Sequence, residues 1–196
     1  ERHSVFMATA FAKAGHAVPL TVTEFPLAAV SGPIIFVGDD KMPLAVMGLN
    51  AGDNMFIQDN GIFESGVYIP AYIRRYPFVF ANDDKAQQMV LCIDRAAEFI
   101  VEGGEMAFFD EKGEPTEYTQ NCISFCNDYE VERQRTQSFI QILRDNDLFE
   151  LKTAMHTPVN ADGTPAEAQK IAEYFGVSEE KLAKLRRSMN QYNVDA

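Results

Sequence analysis

The stretch from Thr116 to Arg144 constrains this chain more than any other. Apolar or half-apolar residues fall at Tyr118, Cys122, Phe125, Tyr129, Thr136, Ile140 and Leu143, in steps of 4, 3, 4, 7, 4 and 3. At 3.6 residues per turn those steps keep one stripe on one helical face. Glu117, Asp128, Glu132, Arg133 and Arg135 supply the polar side. Such a helix is about 40 Å long, and its stripe must be buried against another layer.

The preceding segments provide that layer. Ile34–Val37 is apolar and β-branched, Gly38-Asp39-Asp40-Lys41 is turn chemistry, and Met42–Leu49 is a second strand whose Pro43 marks an edge or a strand start. After the turn Asn50-Ala51-Gly52-Asp53, Asn54–Gln58 reads as a third strand. Asp59-Asn60-Gly61 is a hairpin signal, because Asn and Gly tolerate positive φ, and Ile62-Phe63-Glu64 returns. Pro77–Phe80, Gln88–Asp94, Ala107–Phe109 and Phe149–Met155 read as further strands. Thr23 or a neighbour caps a short helix with Pro26 in its first turn, ended by Ser31-Gly32-Pro33. Val67–Tyr76 reads as a short helix with Pro70 near its start. Ala166–Phe175 and Ser178–Arg187 read as two helices across Gly176-Val177, with Ser178 as N-cap.

The expected fold is α+β: an antiparallel meander sheet of five or six strands packed against one long amphipathic helix, with a C-terminal helical pair. The expectation is a single domain over 1–196, with a peripheral segment 1–17, a core 18–155 and a helical hairpin 160–196. In 196 residues, 46% hydrophobic and 23% charged, there is enough core for a globular domain without disulfide or metal support. Three cysteines exclude a disulfide scaffold, and no apolar run approaches a membrane span.

The net charge is −12 and unevenly placed: residues 1–80 carry five basic and seven acidic side chains, residues 81–196 twelve and twenty-two. From Glu98 to Glu117 there are seven carboxylates against Lys112 alone. That field repels phosphate backbones and anionic headgroups, so neither nucleic acid nor a membrane surface is an expected partner. It serves either solubility or the docking of a basic protein partner. Val5–Ala17 is too broken by Lys13, Gly15 and His16 for a signal peptide. The expected location is therefore cytoplasmic, with surface association if a leader precedes Glu1.

Candidate chemistry centres on Tyr68, Tyr72 and Tyr76, spaced i, i+4, i+8, with Arg74 and Arg75 between them. On a helix the rings share a face, and an arginine there stacks on a ring or pairs with a carboxylate in a forked geometry. One reading is a binding wall for an anionic or aromatic ligand. The other is core packing, with an arginine clamping the helix to Glu24 or an acidic loop. Cys122 and Cys126 are four apart, but with Cys92 and the scattered His3, His16 and His156 they do not make two short ligand pairs; neither metal nor cofactor is expected. There is no G-x-S-x-G, G-x-G-x-x-G, Walker lysine or 12-residue calcium loop. Gln169–Arg187 has the outline of a helix-turn-helix whose second helix carries Lys181, Lys184, Arg186 and Arg187; the alternative is a plain helical hairpin.

These residues also spell a family pattern. Val18-Pro19-Leu20, Glu24-Phe25-Pro26 with Ala28-Ala29, Pro33–Val37, Gly48-Leu49 with Gly52–Phe56, and Tyr68–Phe78 occur in order. Leu91–Asp94, Phe109-Asp110 with Gly113–Thr116, and Tyr129-Glu130 through Arg135-Thr136 with Phe139 follow. The chain resembles the SapC-like family of bacterial proteins, named after a surface-layer locus. The pattern holds over roughly residues 1–152. Glu173–Leu182 is similar to the family's later segment, and Ala166–Ala172 reads as an insertion or a divergent helix. The resemblance implies no catalytic motif and an association, through gene neighbourhood, with surface layers and with outer-membrane receptor and halogenase-type genes. The expectation is a non-enzymatic accessory or binding protein with a protein partner, or with a small-molecule or peptide ligand at Glu24, Tyr68, Tyr72, Arg74, Arg75 and Tyr76. The alternative is an enzyme or enzyme subunit using the same surface. A concave pocket beside Arg74 with convergent polar groups and a perturbed acid or base separates the two.

Overall fold

The β-branched run Ile34-Ile35-Phe36-Val37 forms β2 (Ile34–Val37), and the polar turn after it folds Met42-Pro43-Leu44-Ala45-Val46 back as β3 (Met42–Val46), with Ile34 opposite Ala45 and Val37 opposite Met42. Gly38 at φ +69 and Lys41 at φ +53 supply the positive dihedrals of the reversal. Pro43 sits at the start of β3, where its missing N–H costs little. β1 (Ala17–Pro19) pairs with the other edge of β3.

The computed structural model describes residues 10–83, 88–97, 99–104, 106–157, 159–165, 167 and 169–192. α1 (Ala10–Lys13) precedes β1; a 3-10 turn (Val22–Glu24) and α2 (Phe25–Ser31) follow it. α3 (Ala71–Arg74) leads to a two-stranded ribbon of β4 (Phe78–Asp83) and β5 (Gln88–Ile93). Next come α4 (Glu117–Asp145), β6 (Phe149–His156), β7 (Gln169–Val177) and α5 (Glu179–Tyr192). β1, β3, β2, β7 and β6 make one antiparallel sheet in that order, joined at its middle by Phe36 opposite Phe175. The α+β architecture, the antiparallel sheet and the long helix are as the sequence predicts.

α4 starts where expected, with Thr116 Oγ1 accepting the Thr119 N–H. Its C-terminal half buries Ile140 and Leu143 with Phe36 and Leu148, and Phe139, Phe149, Phe175 and Leu185 pack round them. A second cluster joins Ala12, Val18, Leu20, Ala28, Ala45, Met47, Phe63 and Ile73, against which Tyr68 and Tyr72 lie.

Three expectations are corrected. The C-terminal helical pair is one helix: Gln169–Val177 is a strand along the whole length of β6, from Phe149 opposite Val177 to His156 opposite Gln169, and only α5 is helical. Ile171, Tyr174 and Phe175 have helical spacing but are also good strand formers, and the eight-residue edge of β6 decides between the two. The helix-turn-helix outline goes with it. Val67–Tyr76 holds a single helical turn, because Ile69 and Tyr76 each precede a proline and are biased away from helix. Finally, Asn54–Gln58 and Ile62–Glu64 meet in one bridge, Ile57 opposite Phe63, round the Gly61 turn. Asn54 is the reason. It is buried, donating Nδ2–H to Ala12 O (3.1 Å) and accepting the Phe56 N–H on Oδ1 (3.0 Å), which bends the chain locally.

Candidate functional site: an arginine between two tyrosines

Glu24 is a buried charge on which four hydrogen bonds from two segments converge. It ends the 3-10 turn that Thr21 opens, and it is only 5% exposed. Its Oε2 accepts the Thr21 N–H (2.7 Å) and hydroxyl (2.8 Å). Its Oε1 accepts the Ala71 N–H (2.7 Å) and the Tyr68 hydroxyl (2.9 Å). Four donors thus offset the desolvation of the carboxylate, and they tie α3 to the turn before α2. Burial, then the Glu24 charge, holds the Tyr68 phenol above its usual range. The clamp is indirect: exposed Arg74 donates to the Tyr68 hydroxyl (3.2 Å) and to Ile69 O (3.0 Å), and lies 5.2 Å from the Phe125 ring.

Arg75, the next residue, points elsewhere. Its guanidinium is 4.5 Å from the centroid of Tyr72 and 4.7 Å from that of Tyr129 on α4, so the two rings cover it. Among the described residues it has neither a hydrogen-bond acceptor nor an ion-pair partner. It lines a cleft of about 850 Å³ that α4, the β2–β3 turn and the β4–β5 ribbon enclose, and a smaller hollow of about 210 Å³ beside Cys122 and Phe125. On the cleft wall Arg133 donates through Nε (2.7 Å) and a terminal nitrogen (2.6 Å) to Glu130, and Arg144 donates to the backbone carbonyl of Asp39.

Burial and hydrogen bonding move these groups away from their ordinary titration ranges. Burial raises the Tyr129 phenol to about 12, against the smaller opposing pull of Arg75. Burial also raises the Cys126 thiol. The hydrogen bond from Arg133 holds Glu130 below the usual carboxylate range. At pH 7 the cleft therefore presents a neutral phenol, a neutral thiol and an ionised carboxylate, none poised for proton transfer.

A consequence is measurable. The folded chain keeps the Tyr129 proton until about pH 12, while an unfolded chain releases it near 10. The stabilisation is full below pH 10 and is lost as pH rises through 12, roughly 2–3 kcal/mol in all. Urea midpoints at pH 9.5 and 12 are expected to drop less in Tyr129→Phe than in the parent; equal drops would refute the assignment.

The structure brings Glu24, Tyr68 and Arg74 into one hydrogen-bonded group, and Tyr72 and Arg75 into the cleft. Tyr76 belongs to neither: it stacks on Phe11 (5.0 Å) and donates its hydroxyl to Asp94 Oδ2 (2.8 Å). Tyr129, which the helical spacing places in the apolar stripe, and Glu130, Arg133 and Arg144 are further residues of the cleft. Tyr129 and Arg133 are four apart on α4, so the polar side of the helix begins inside the cleft. Among the described residues no group of three or more His, Cys, Asp or Glu side chains gathers as metal ligands do. No helix among them is long and apolar enough to cross a membrane.

No curated protein and no solved structure matches the chain. A family model described as SapC matches residues 3–191, so β7 and all but the last residue of α5 lie within the matched span as well as the Tyr68–Phe78 segment. The chain belongs to the SapC family.

Proposed function

We propose that this protein is a non-enzymatic accessory protein that holds an anionic small molecule or peptide at Arg75 and presents it to a protein partner in a surface-layer or receptor-linked uptake system. The observation that carries the reading is Arg75 itself: a guanidinium against two ring faces, its side-chain N–H donors without an acceptor among the described residues, on the wall of a cleft of about 850 Å³. Clefts of this size suit small ligands, and a few placed polar groups fix their orientation. The direction of the Tyr129, Cys126 and Glu130 shifts favours holding over turnover. The excess of carboxylates in residues 81–196 suits a basic partner.

The test is recovery of untagged protein under native conditions, with mass spectrometry of what is released on denaturation. A stoichiometric anionic compound is expected from the parent and from Arg74→Ala, and at least tenfold less from Arg75→Met. Arg75→Met is expected to melt within a few degrees of the parent, since no buried carboxylate is stranded. An anionic compound retained equally by Arg75→Met, or a released compound consumed on incubation with the protein, would overturn the reading.

A further inference from the structure

We infer that the ligand of this cleft is an amphipathic monocarboxylate, its acid group in the fork of Arg75 and its apolar body along Met42, Val79 and Met89; the inference rests on the reading that Arg75 anchors a ligand. Two ring faces lie 4.5 and 4.7 Å from the guanidinium carbon, so a ligand meets the group at the N–H donors the rings leave uncovered. A coplanar carboxylate accepts two of them in parallel.

The charge of the lining favours a ligand with one negative charge over one with two. The cleft is lined by Arg75, Arg133 and Arg144 and by Asp39, Asp40 and Glu130, three of each sign. Both interacting nitrogens of Arg133 are spent on Glu130, and Arg144 is directed to the Asp39 carbonyl. Arg75 is left as the lining guanidinium with no described hydrogen-bond acceptor, and a single carboxylate satisfies it. A phosphate ester or a dicarboxylate adds a second charge opposite three carboxylates, in a chain already at −12.

The rest of the wall asks for apolar surface. Met42, Val79 and Met89 line the cleft and are 47%, 38% and 41% exposed, with Leu20, Pro43 and Phe80 beside them. Exposed apolar side chains gathered in a concavity mark a surface that something covers. Methionines in such a wall adapt to bodies of different shape. A free fatty or arylalkanoic acid has this chemistry, and so does the C-terminal carboxylate of an apolar peptide.

Isothermal titration with decanoate, decanol, decanedioate, inorganic phosphate, an N-acetylated apolar dipeptide acid and the amide of that dipeptide tests this. Decanoate or the dipeptide acid is expected to bind at least tenfold more tightly than decanol or the amide, respectively, and that preference is expected to vanish in Arg75→Met. Binding by the dipeptide acid alone identifies a peptide end as the source; binding by decanoate alone identifies a free acid. Val79→Asp is expected to weaken the preferred acid at least fivefold with the Arg75 dependence retained. Equal binding of acid and neutral isostere, or absence of binding by both acids, overturns the inference. Should decanedioate or phosphate bind best and still depend on Arg75, the ligand class falls while Arg75 remains an anchor. If no probe binds in an Arg75-dependent way, both fall.

Discussion

Glu24→Ala is expected to lower the unfolding free energy by about 3 kcal/mol, an estimate that sets two stranded buried donors against the relief of one desolvated charge. The carboxylate accepts backbone N–H groups from Thr21 and Ala71 and hydroxyls from Thr21 and Tyr68. The hydroxyls can turn to other partners. The two amides cannot, and each buried, unpaired amide costs roughly 1–3 kcal/mol. For a chain of this length the loss corresponds to a fall of roughly 6–12 °C in melting temperature. Glu24→Gln is the informative companion. It keeps the shape and one carbonyl, but its NH₂ must face donors on one side, so an intermediate loss is expected. Urea unfolding of the two variants beside Glu64→Ala, an exposed carboxylate, gives the comparison. If Glu24→Ala cost no more than Glu64→Ala, the buried hub would carry no stability.

Much of the architecture is local chemistry and could be read from it. Thr116, the i+3 and i+4 steps of α4 and the Gly38–Lys41 reversal each declare themselves within a few residues. β7 does not. Its apolar residues fit a helix as well as a strand, and only the edge of β6, some twenty residues upstream, settles which forms. Val67–Tyr76 fails for a different reason. The tyrosine spacing is helical, but Pro70 and Pro77 permit only the turn Ala71–Arg74. As a result the hydroxyls of Tyr68 and Tyr76 bond different carboxylates, Glu24 and Asp94, and the two arginines between them point to different partners.

The site divides along the same line. Arg74, Arg75 and Glu24 can be picked out because charged residues beside aromatics and prolines are chemically unusual. Their partners are distant in sequence: Glu24 meets Tyr68 across 44 positions, and Arg75 meets Tyr129 from another element. No periodicity encodes such a meeting. The i+4 step from Tyr129 to Arg133 does place an arginine next to a stripe ring and so at the boundary of the buried face.

Gly48→Ala is expected to cost about 3 kcal/mol or more, at the upper end of what overpacking produces. A Cβ at position 48 would lie 1.8 Å from the carbonyl oxygen of Asp53 and 3.3 Å from Cβ of His16. The obstacle is backbone, so no side chain can rotate out of the way. Nor can either strand of backbone retreat freely. The Met47 and Gly48 N–H groups both donate to His16 O (2.7 and 2.9 Å), the Met55 N–H donates to Met47 O (2.8 Å), and Asn54 is tied to Ala12. Gly52, four residues on, is the control: a Cβ there meets open space, and only its φ of +84 opposes substitution, a penalty of about 1–2 kcal/mol. Melting curves should rank the parent above Gly52→Ala and Gly52→Ala above Gly48→Ala; a Gly48→Ala protein as stable as Gly52→Ala would show that the 47–55 loop yields. The effect should reach the cleft, because Met47 is buried in the cluster on which Tyr68 and Tyr72 rest. Loss of that support frees Tyr72 from Arg75, so a folded Gly48→Ala protein should also lose ligand that Gly52→Ala retains.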